Sequence, residues 1–159
     1  MKITILCVGR IKEKFYSEAV NEYVKRLGRY CRPEIIETAD EKTPDEASEK
    51  ENRMIKEKEG GRILKELPAD SYVIALDIKG KKASSEQLAS NLEGLFINGR
   101  SHICFIIGGS LGLSDEVLQK ADERLSFSDM TFPHQLMRVI LLEQIYRAFK
   151  IIRKEPYHK

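Results

Sequence analysis

One stretch constrains the fold more than any other part of the chain, namely residues 103–134, ICFIIGGSLGLSDEVLQKADERLSFSDMTFPH. It opens with a short apolar run, typical of a buried strand, that a pair of glycines ends at once. Ser114 then stands at a helix N-cap position, followed by acidic residues that suit the helix dipole. The stretch therefore predicts a strand, a glycine loop and a helix. A short run (residues 125–127) then leads through a second loop (residues 127–132) into a last helix that begins at Pro133.

The rest of the chain alternates in the same way. Apolar runs predict strands at residues 2–8, 34–38 and 72–77, and apolar periodicity predicts helices at residues 13–29, 48–66 and 84–98. Ser48 and Ser84 each precede a Glu or Gln by three residues, the spacing of a capping box. Gly60 and Gly61 predict a bend or an interruption in the second helix. This alternation predicts one α/β domain (residues 1–159) with a mainly parallel sheet and helices on both faces.

Composition excludes several classes of protein. Hydrophobic residues make up 42% and charged residues 33%, as in a globular domain, and no apolar run approaches the ~18 residues of a membrane span. The opening residues resemble a strand followed by charges, not a secretion signal, so we expect a cytoplasmic protein with no membrane partner. The three cysteines are odd in number and widely spaced, which favours buried apolar roles. No histidine lies at metal-ligand spacing from a cysteine or another histidine, so we expect no metal.

Charge and apolar residues are both concentrated towards the C-terminus. Residues 134–159 carry a formal charge of +4 and the remaining 133 residues carry −2, a distribution that suits binding of a polyanion by the C-terminal part. The last helix, Pro133 to about Arg153, is apolar around most of its circumference. Such a helix must be buried on more than one side, which in a chain this small favours a homodimer.

Three loops follow predicted strands and are candidates for ligand binding: residues 76–82, 108–113 and 127–132. The glycine loop matches no phosphate-binding motif, and Asp115 and Glu116 beside it would repel phosphate. It better suits a ligand without phosphate that the backbone approaches closely. Residues 127–132 alternate apolar with hydroxyl and carboxylate side chains, which fits a pocket for a flat base and fits a plain buried turn equally well.

Several segments resemble the ribosomal RNA large subunit methyltransferase H family, which belongs to the SPOUT class of trefoil-knotted methyltransferases. They are IIGGSLGL (106–113), LSFSDMTFPHQLMRV (125–139), EQIYRAFKI (143–151) and PYHK (156–159). The opening MKITILCVGRIKEKF, the segment EKEGGRIL and the segment VIALDIKGK are similar too, so the resemblance spans essentially the whole chain. It implies a SPOUT-type fold with a C-terminal trefoil knot, a feature that no periodicity indicates.

The resemblance also implies a reaction. It implies methyl transfer from S-adenosylmethionine to N3 of a pseudouridine in the helix 69 loop of 23S rRNA, within the assembled ribosome, by a homodimer packed partly through the last helix. Carried over by position, the cofactor pocket comprises Leu76, Gly108, Phe127, Ser128, Asp129, Met130, Thr131 and Phe132.

Methyl transfer of this kind needs no metal, because the sulfonium is already an activated leaving group; the protein must align the acceptor and help to remove its proton. The candidate catalytic residues are Arg138, Tyr157, His158 and His134. Tyr157 and His158 could stack on RNA bases, and a structural hydrogen-bonding role fits His134 equally well. An RNA-binding module without catalysis and a nucleotide-dependent α/β enzyme are the alternatives.

Overall fold

A computed structural model describes residues 1–158 and contains strands and helices in strict alternation. The strands are β1 (Lys2–Val8), β2 (Arg32–Thr38), β3 (Tyr72–Lys82), β4 (His102–Ile107) and β5 (Glu123–Ser126). The helices are α1 (Lys14–Leu27), α2 (Glu49–Glu66), α3 (Ser85–Ile97), α4 (Asp115–Lys120) and α5 (His134–Ile152). The predicted α/β alternation is therefore confirmed.

All five strands form one sheet in the order β2-β1-β4-β3-β5, and every pair of neighbours is parallel. The sequence predicted a loop at residues 76–82, but this prediction was wrong, because β3 continues through Lys82 along β5. The pairing with β5 changes register between Leu76 and Lys81. A Cβ at Gly80 would lie 2.7 Å from the carbonyl carbon of Arg124, so glycine allows the two backbones to approach there.

Helices cover both faces of the sheet, as predicted. Along β1, Ile3, Ile5 and Cys7 join the apolar core beneath α1, α3 and α5, whereas Leu6 and Val8 join the core beneath α2 and α4. This alternation follows the two-residue period of a strand. Helix α5 lies against both α1 and α3, so its wide apolar surface is covered in part by its own chain.

The predicted helix starts are confirmed at Ser48, Ser84 and Ser114. At each one the serine hydroxyl accepts a hydrogen bond from the backbone N–H three residues further on, which satisfies one of the unpaired donors of the first turn. The predicted interruption at Gly60-Gly61 is wrong, since α2 is one continuous helix from Glu49 to Glu66.

Gly60 instead allows close packing of α2 against the start of α4. A Cβ at Gly60 would lie 2.2 Å from the Oγ of Ser114 and 3.3 Å from a methyl carbon of Val117, both of which are buried. Gly61 has open space around the corresponding position. The two neighbouring glycines therefore have different physical roles, and only the first is required by packing.

This difference gives a stability prediction. Gly60→Ala should lower the free energy of unfolding by about 1–3 kcal/mol, because α2 must move away from the Ser114 hydroxyl. The matched variant Gly61→Ala should raise it by about 0.5–1 kcal/mol, because alanine has the better helix propensity and meets no atom. Urea denaturation of both variants measures the difference, and equal shifts of the same sign would contradict the packing role.

Within residues 1–158 no helix is long and apolar enough to cross a membrane, and no three His, Cys, Asp or Glu side chains are grouped to hold a metal ion. Cys7 and Cys104 are buried, and Cys31 is half-buried. Burial raises the pKa of the Cys7 and Cys104 thiols to about 12, so both stay protonated near pH 7. Cys7 and Cys104 have the buried apolar role that the sequence predicted.

Candidate functional site

One cavity of about 510 Å³ lies at the carboxyl edge of the sheet, within the size range of small-molecule sites. Its walls come from the β3 continuation (residues 76–79), the glycine loop (residues 108–112), the loop at residues 127–132 and the start of α5. The strands that precede these segments are adjacent in the sheet in the order β4-β3-β5, so their carboxyl ends meet at one edge. The segments that the sequence analysis singled out are therefore brought together.

The glycine loop follows β4 and is folded tightly on itself. The N–H of Gly112 donates to the carbonyl of Gly109 at 3.1 Å, and Gly112 has φ +83°, a left-handed conformation that glycine adopts without strain. A Cβ at Gly108 would lie 2.9 Å from the carbonyl carbon of Gly112. Any side chain at Gly108 would therefore displace the loop, whose bare backbone forms part of the cavity wall.

The loop at residues 127–132 is held by short-range hydrogen bonds. The Ser126 hydroxyl donates to the carbonyl of Ser128 at 3.3 Å, and the Ser128 Oγ accepts from the N–H of Met130 at 3.0 Å. Seven of the eight predicted cofactor residues line the cavity, namely Leu76, Gly108, Phe127, Ser128, Met130, Thr131 and Phe132. Asp129 does not line it, and its carboxylate pairs with the ammonium of Lys82.

The cavity also contains residues that sequence reasoning missed. Lys56 of α2, Arg124 of β5 and Met137 of α5 line it. Arg124 lies 3.9 Å from the carboxylate of Asp77, which also lines the cavity. Arg124 lies just before the predicted loop at residues 127–132, so its place near the site could have been predicted from the sequence. Lys56 is 50 or more residues from most of the other wall segments, and no local sequence pattern indicates that it belongs to the site.

His134 lines the cavity at the first turn of α5. A Cβ at Gly9 would lie 3.6 Å from Nε2 of His134 and 3.7 Å from the side chain of Asp40, so both side chains border the same glycine. Burial lowers the pKa of His134, and the nearby charge of Arg138 lowers it further. The imidazole is therefore neutral near pH 7 and can accept a proton.

Arg138 has a different environment from the one expected of a substrate contact. It is 0% exposed and does not line the cavity. Its guanidinium donates to the Glu37 carboxylate at 2.6 Å and to the carbonyls of Val8 and Gly9 at 3.1 and 2.6 Å. These contacts tie the carboxyl ends of β1 and β2 to α5, and so support the cavity from behind.

Arg138→Met should therefore act mainly on stability. The change leaves the Glu37 carboxylate with only the N–H of Ile11 as donor and removes the guanidinium donor from two buried carbonyls, and we expect the free energy of unfolding to fall by about 3 kcal/mol. Arg53→Met is the control, because Arg53 is exposed and its i,i+4 pair with Glu57 is of a kind worth about 0.3–0.5 kcal/mol. Thermal or urea unfolding measures both, and a mild Arg138→Met effect would show that these contacts contribute little.

The two candidate residues of the tail lie away from the cavity of their own chain. The Tyr157 ring packs edge-on against Tyr146 with centroids 5.0 Å apart, and the Arg147 guanidinium lies 4.8 Å from the centre of the Tyr157 ring. Burial raises the pKa of Tyr157 to about 12. His158 Nε2 lies 2.7 Å from a carboxylate oxygen of Glu86 on α3. The tail is thus docked on α5 and α3.

Comparison with known proteins identifies the family. The profile of a family described as "Predicted SPOUT methyltransferase" matches residues 1–158. A ribosomal RNA large subunit methyltransferase H of Clostridium novyi is 62% identical, and one of Clostridium botulinum is 60% identical; each match covers 100% of both chains. A solved probable methylase family protein from Haemophilus influenzae has a similar fold, with a TM-score of 0.54 over 99% of this chain and 70% of the other, at 13% identity. The chain therefore belongs to the SPOUT methyltransferase family, and its relatives there are ribosomal RNA large subunit methyltransferases H.

Proposed function

We propose that this protein transfers a methyl group from S-adenosylmethionine to N3 of a pseudouridine in the helix 69 loop of 23S rRNA, in the assembled ribosome. The observation that carries the proposal is the cavity formed by the glycine loop and residues 127–132, in a chain that ribosomal RNA methyltransferases match over its full length. A cytoplasmic location accords with a ribosomal substrate.

The residues around the cavity fit S-adenosylmethionine, which supplies an activated methyl group on a positively charged sulfur. Apolar side chains such as Leu76, Leu125 and Met137 can hold a flat purine ring, while the bare glycine-loop backbone can approach the ligand closely. The wall carries the carboxylates of Asp77 and Asp115 and the cationic side chains of Lys56, Lys79 and Arg124. The glycine loop matches no phosphate-binding motif, which disfavours the nucleotide-dependent alternative, and an RNA-coating module would not need a cavity of this size.

His134 is the side chain of the wall best placed to take up the acceptor's proton. It is neutral near pH 7 because burial lowers its pKa, and it lines the cavity at the start of α5. The N3–H of a uracil-type base is weakly acidic, so its removal during methyl transfer benefits from a positioned base. Asp40 lies beside the imidazole and stabilises the protonated form that results.

This role predicts a pH dependence. The methylation rate should fall as the pH drops through the lowered pKa of His134, because the protonated ring accepts no further proton. His134→Gln should reduce the rate at pH 7.5 by about 100-fold and remove this acid limb. His102→Gln is the matched control. This half-buried histidine lies at the amino end of β4, at the opposite edge of the sheet from the cavity, and forms a hydrogen bond with the Thr4 hydroxyl. An unchanged pH profile in His134→Gln would exclude the proposed role.

We further propose a homodimer packed through α5. Six apolar side chains of α5 remain only partly buried within the single chain, namely Leu136, Val139, Ile140, Tyr146, Ile151 and Ile152. Ile97, at the end of neighbouring α3, is 78% exposed. A second copy would remove this surface from water and could bring Tyr157 and His158 of one chain to the cavity of its partner.

The proposed function is tested by two measurements on the whole protein. Calorimetry should show saturable binding of S-adenosylmethionine and none of ATP. Labelled methyl groups should then enter 23S rRNA in whole ribosomes, with nucleoside analysis showing N3-methylpseudouridine, and should enter isolated subunits and naked RNA far more slowly. Binding of ATP alone, or no methyl incorporation into any of the three substrates, would overturn the proposal.

A further inference from the structure

A buried acid with an unpartnered oxygen lies behind the glycine loop. Glu59 of α2 is 4% exposed, and its Oε1 accepts a hydrogen bond from the N–H of Glu41 at 2.9 Å. Its Oε2 is buried and has no hydrogen-bond partner among residues 1–158. Buried carboxylate oxygens are nearly always paired with a donor, so this one needs a physical explanation.

The carboxylate is separated from the cavity by the backbone of one residue. A Cβ at Gly109 would lie 2.8 Å from Oε2 of Glu59 and 3.2 Å from its Oε1, so the acid occupies the space that a side chain would fill. Gly109 itself lines the cavity. A charge on Glu59 therefore acts on the cavity through a thin wall from which water is excluded, where screening is weak.

The surroundings of Glu59 are negative overall. The segment between β2 and α2 contributes the carboxylates of Asp40 and Glu41, and α2 contributes the guanidinium of Arg62, which pairs with Glu41. The pKa of Glu59 is raised, first by burial and then by the acids at Asp40 and Glu41, against the opposing Glu41 N–H and Arg62. The glycine loop and β1 contribute only uncharged neighbours, Gly109 and Val8.

The two acids that line the cavity directly have weaker effects on its electrostatic potential than their positions suggest. Asp77 is mostly buried, but the guanidinium of Arg124 lies 3.9 Å away and offsets its charge, while Asp115 is exposed to water at the start of α4. Glu59 is buried and its Oε2 has no hydrogen-bond partner among residues 1–158, so its field is weakly screened. Its charge therefore acts on the cavity through protein, against the cationic side chains of Lys56, Lys79 and Arg124 in the wall.

We propose that Glu59 is a specificity-determining residue that makes the cavity prefer the cationic methyl donor, S-adenosylmethionine, over the neutral product, S-adenosylhomocysteine. The inference rests on the proposed function. During transfer the methyl group moves from the sulfonium to N3, the N3 proton moves to a base, and the cofactor becomes an uncharged thioether. S-adenosylmethionine and S-adenosylhomocysteine have nearly the same shape, so packing contacts distinguish them poorly. A negative charge behind the cavity wall distinguishes them by their difference in charge. The product then leaves more readily than the donor.

Glu59→Gln tests this role with little change in shape. At an effective dielectric constant of about 20, the interaction between two unit charges about 10 Å apart corresponds to roughly a tenfold change in affinity. Calorimetry should show that Glu59→Gln weakens S-adenosylmethionine binding about tenfold, which is about 1.4 kcal/mol, and changes S-adenosylhomocysteine binding less than about twofold. Equal weakening of both ligands would mean that Glu59 only supports the loop, and no change would mean that it has no role; either result overturns the inference.

Glu57→Gln is the matched control. It removes the same charge from the same helix, but from an exposed side chain that pairs with Arg53, so neither affinity should change more than about twofold. A similar loss of donor preference in Glu57→Gln would attribute the effect to net charge and overturn the inference. If the unsubstituted protein binds neither ligand, the proposed function fails, which is a different outcome from a failure of Glu59 alone.

A second measurement does not depend on the folding of Glu59→Gln. The ratio of the two affinities is measured against pH in His134→Asn, where the histidine of the wall no longer titrates. The preference for the donor should fall about tenfold as the pH drops through the raised pKa of Glu59, because protonation removes its charge. A ratio that stays constant with pH would overturn the inference.

Discussion

Replacement of Gly108 by valine is expected to abolish binding of S-adenosylmethionine while the protein remains folded. A Cβ at this position would lie 2.9 Å from the carbonyl carbon of Gly112 and 3.1 Å from a methyl carbon of Leu113, so the glycine loop must open. The opened loop and the valine methyl groups would occupy space at the cavity wall. We expect the dissociation constant to rise by about 100-fold or more, equal to about 2.7 kcal/mol.

The measurement is calorimetric titration of the variant, with circular dichroism as the test of folding. Overpacking at one loop position costs about 1–3 kcal/mol, which a domain of ordinary stability tolerates. Gly61→Val is the matched control, because the same side chain meets open space on α2 and should leave cofactor affinity unchanged. A folded Gly108→Val protein with parental affinity would show that the cofactor binds elsewhere.

Removal of residues 157–159 is expected to abolish methyl transfer to ribosomes and to leave cofactor binding nearly unchanged. Tyr157 and His158 lie outside the cavity of their own chain, so their loss should change cofactor affinity less than about twofold. Because we place them at the partner's cavity, we expect the transfer rate to fall by about 1000-fold, within the range attributed to positioned catalytic groups. Methylation assays and calorimetry on the same preparation measure the two effects.

A complementation experiment tests whether the tail acts across the dimer. The Gly108→Val chain has a defective pocket and an intact tail, whereas the truncated chain has the reverse. Mixed dimers contain one complete site if the tail serves the partner's cavity, so mixing the two inactive proteins should restore about one quarter of the parental sites. No recovery in demonstrated mixed dimers would contradict action across the dimer.

Single substitutions separate the contributions of the tail. Tyr157→Phe keeps the ring packed against Tyr146 and removes only the hydroxyl, while His158→Asn removes the ring. Arg153→Gln is the control for loss of charge near the tail, because Arg153 is exposed. If the truncated protein methylates ribosomes at the parental rate, the tail is only a docked end, and the acceptor chemistry lies at His134.

The sequence determined the features of this protein that depend on short-range patterns. Apolar runs and helical periodicity specified the order of strands and helices, and serine hydroxyls specified the starts of α2, α3 and α4. The convergence of the candidate site was also predictable, because parallel strands place the loops after β4 and β5 at one edge, next to the second half of β3. The trefoil knot and the tail's role remain predictions of the family resemblance.

Only the tertiary structure decided which distant residues pack or pair with the segments whose local sequence is ambiguous. Residues 76–82 contain turn-forming and charged residues, yet they continue β3 because β5, far along the chain, offers a backbone edge that Gly80 can approach. Gly60 signals a helix break locally but instead allows contact with Ser114. Glu59 lies in a charge-rich segment and Arg138 is a candidate catalytic residue in the sequence, yet packing buries both. Burial, pairing and close approach depend on residues distant in the chain, and local propensity carries no information about them.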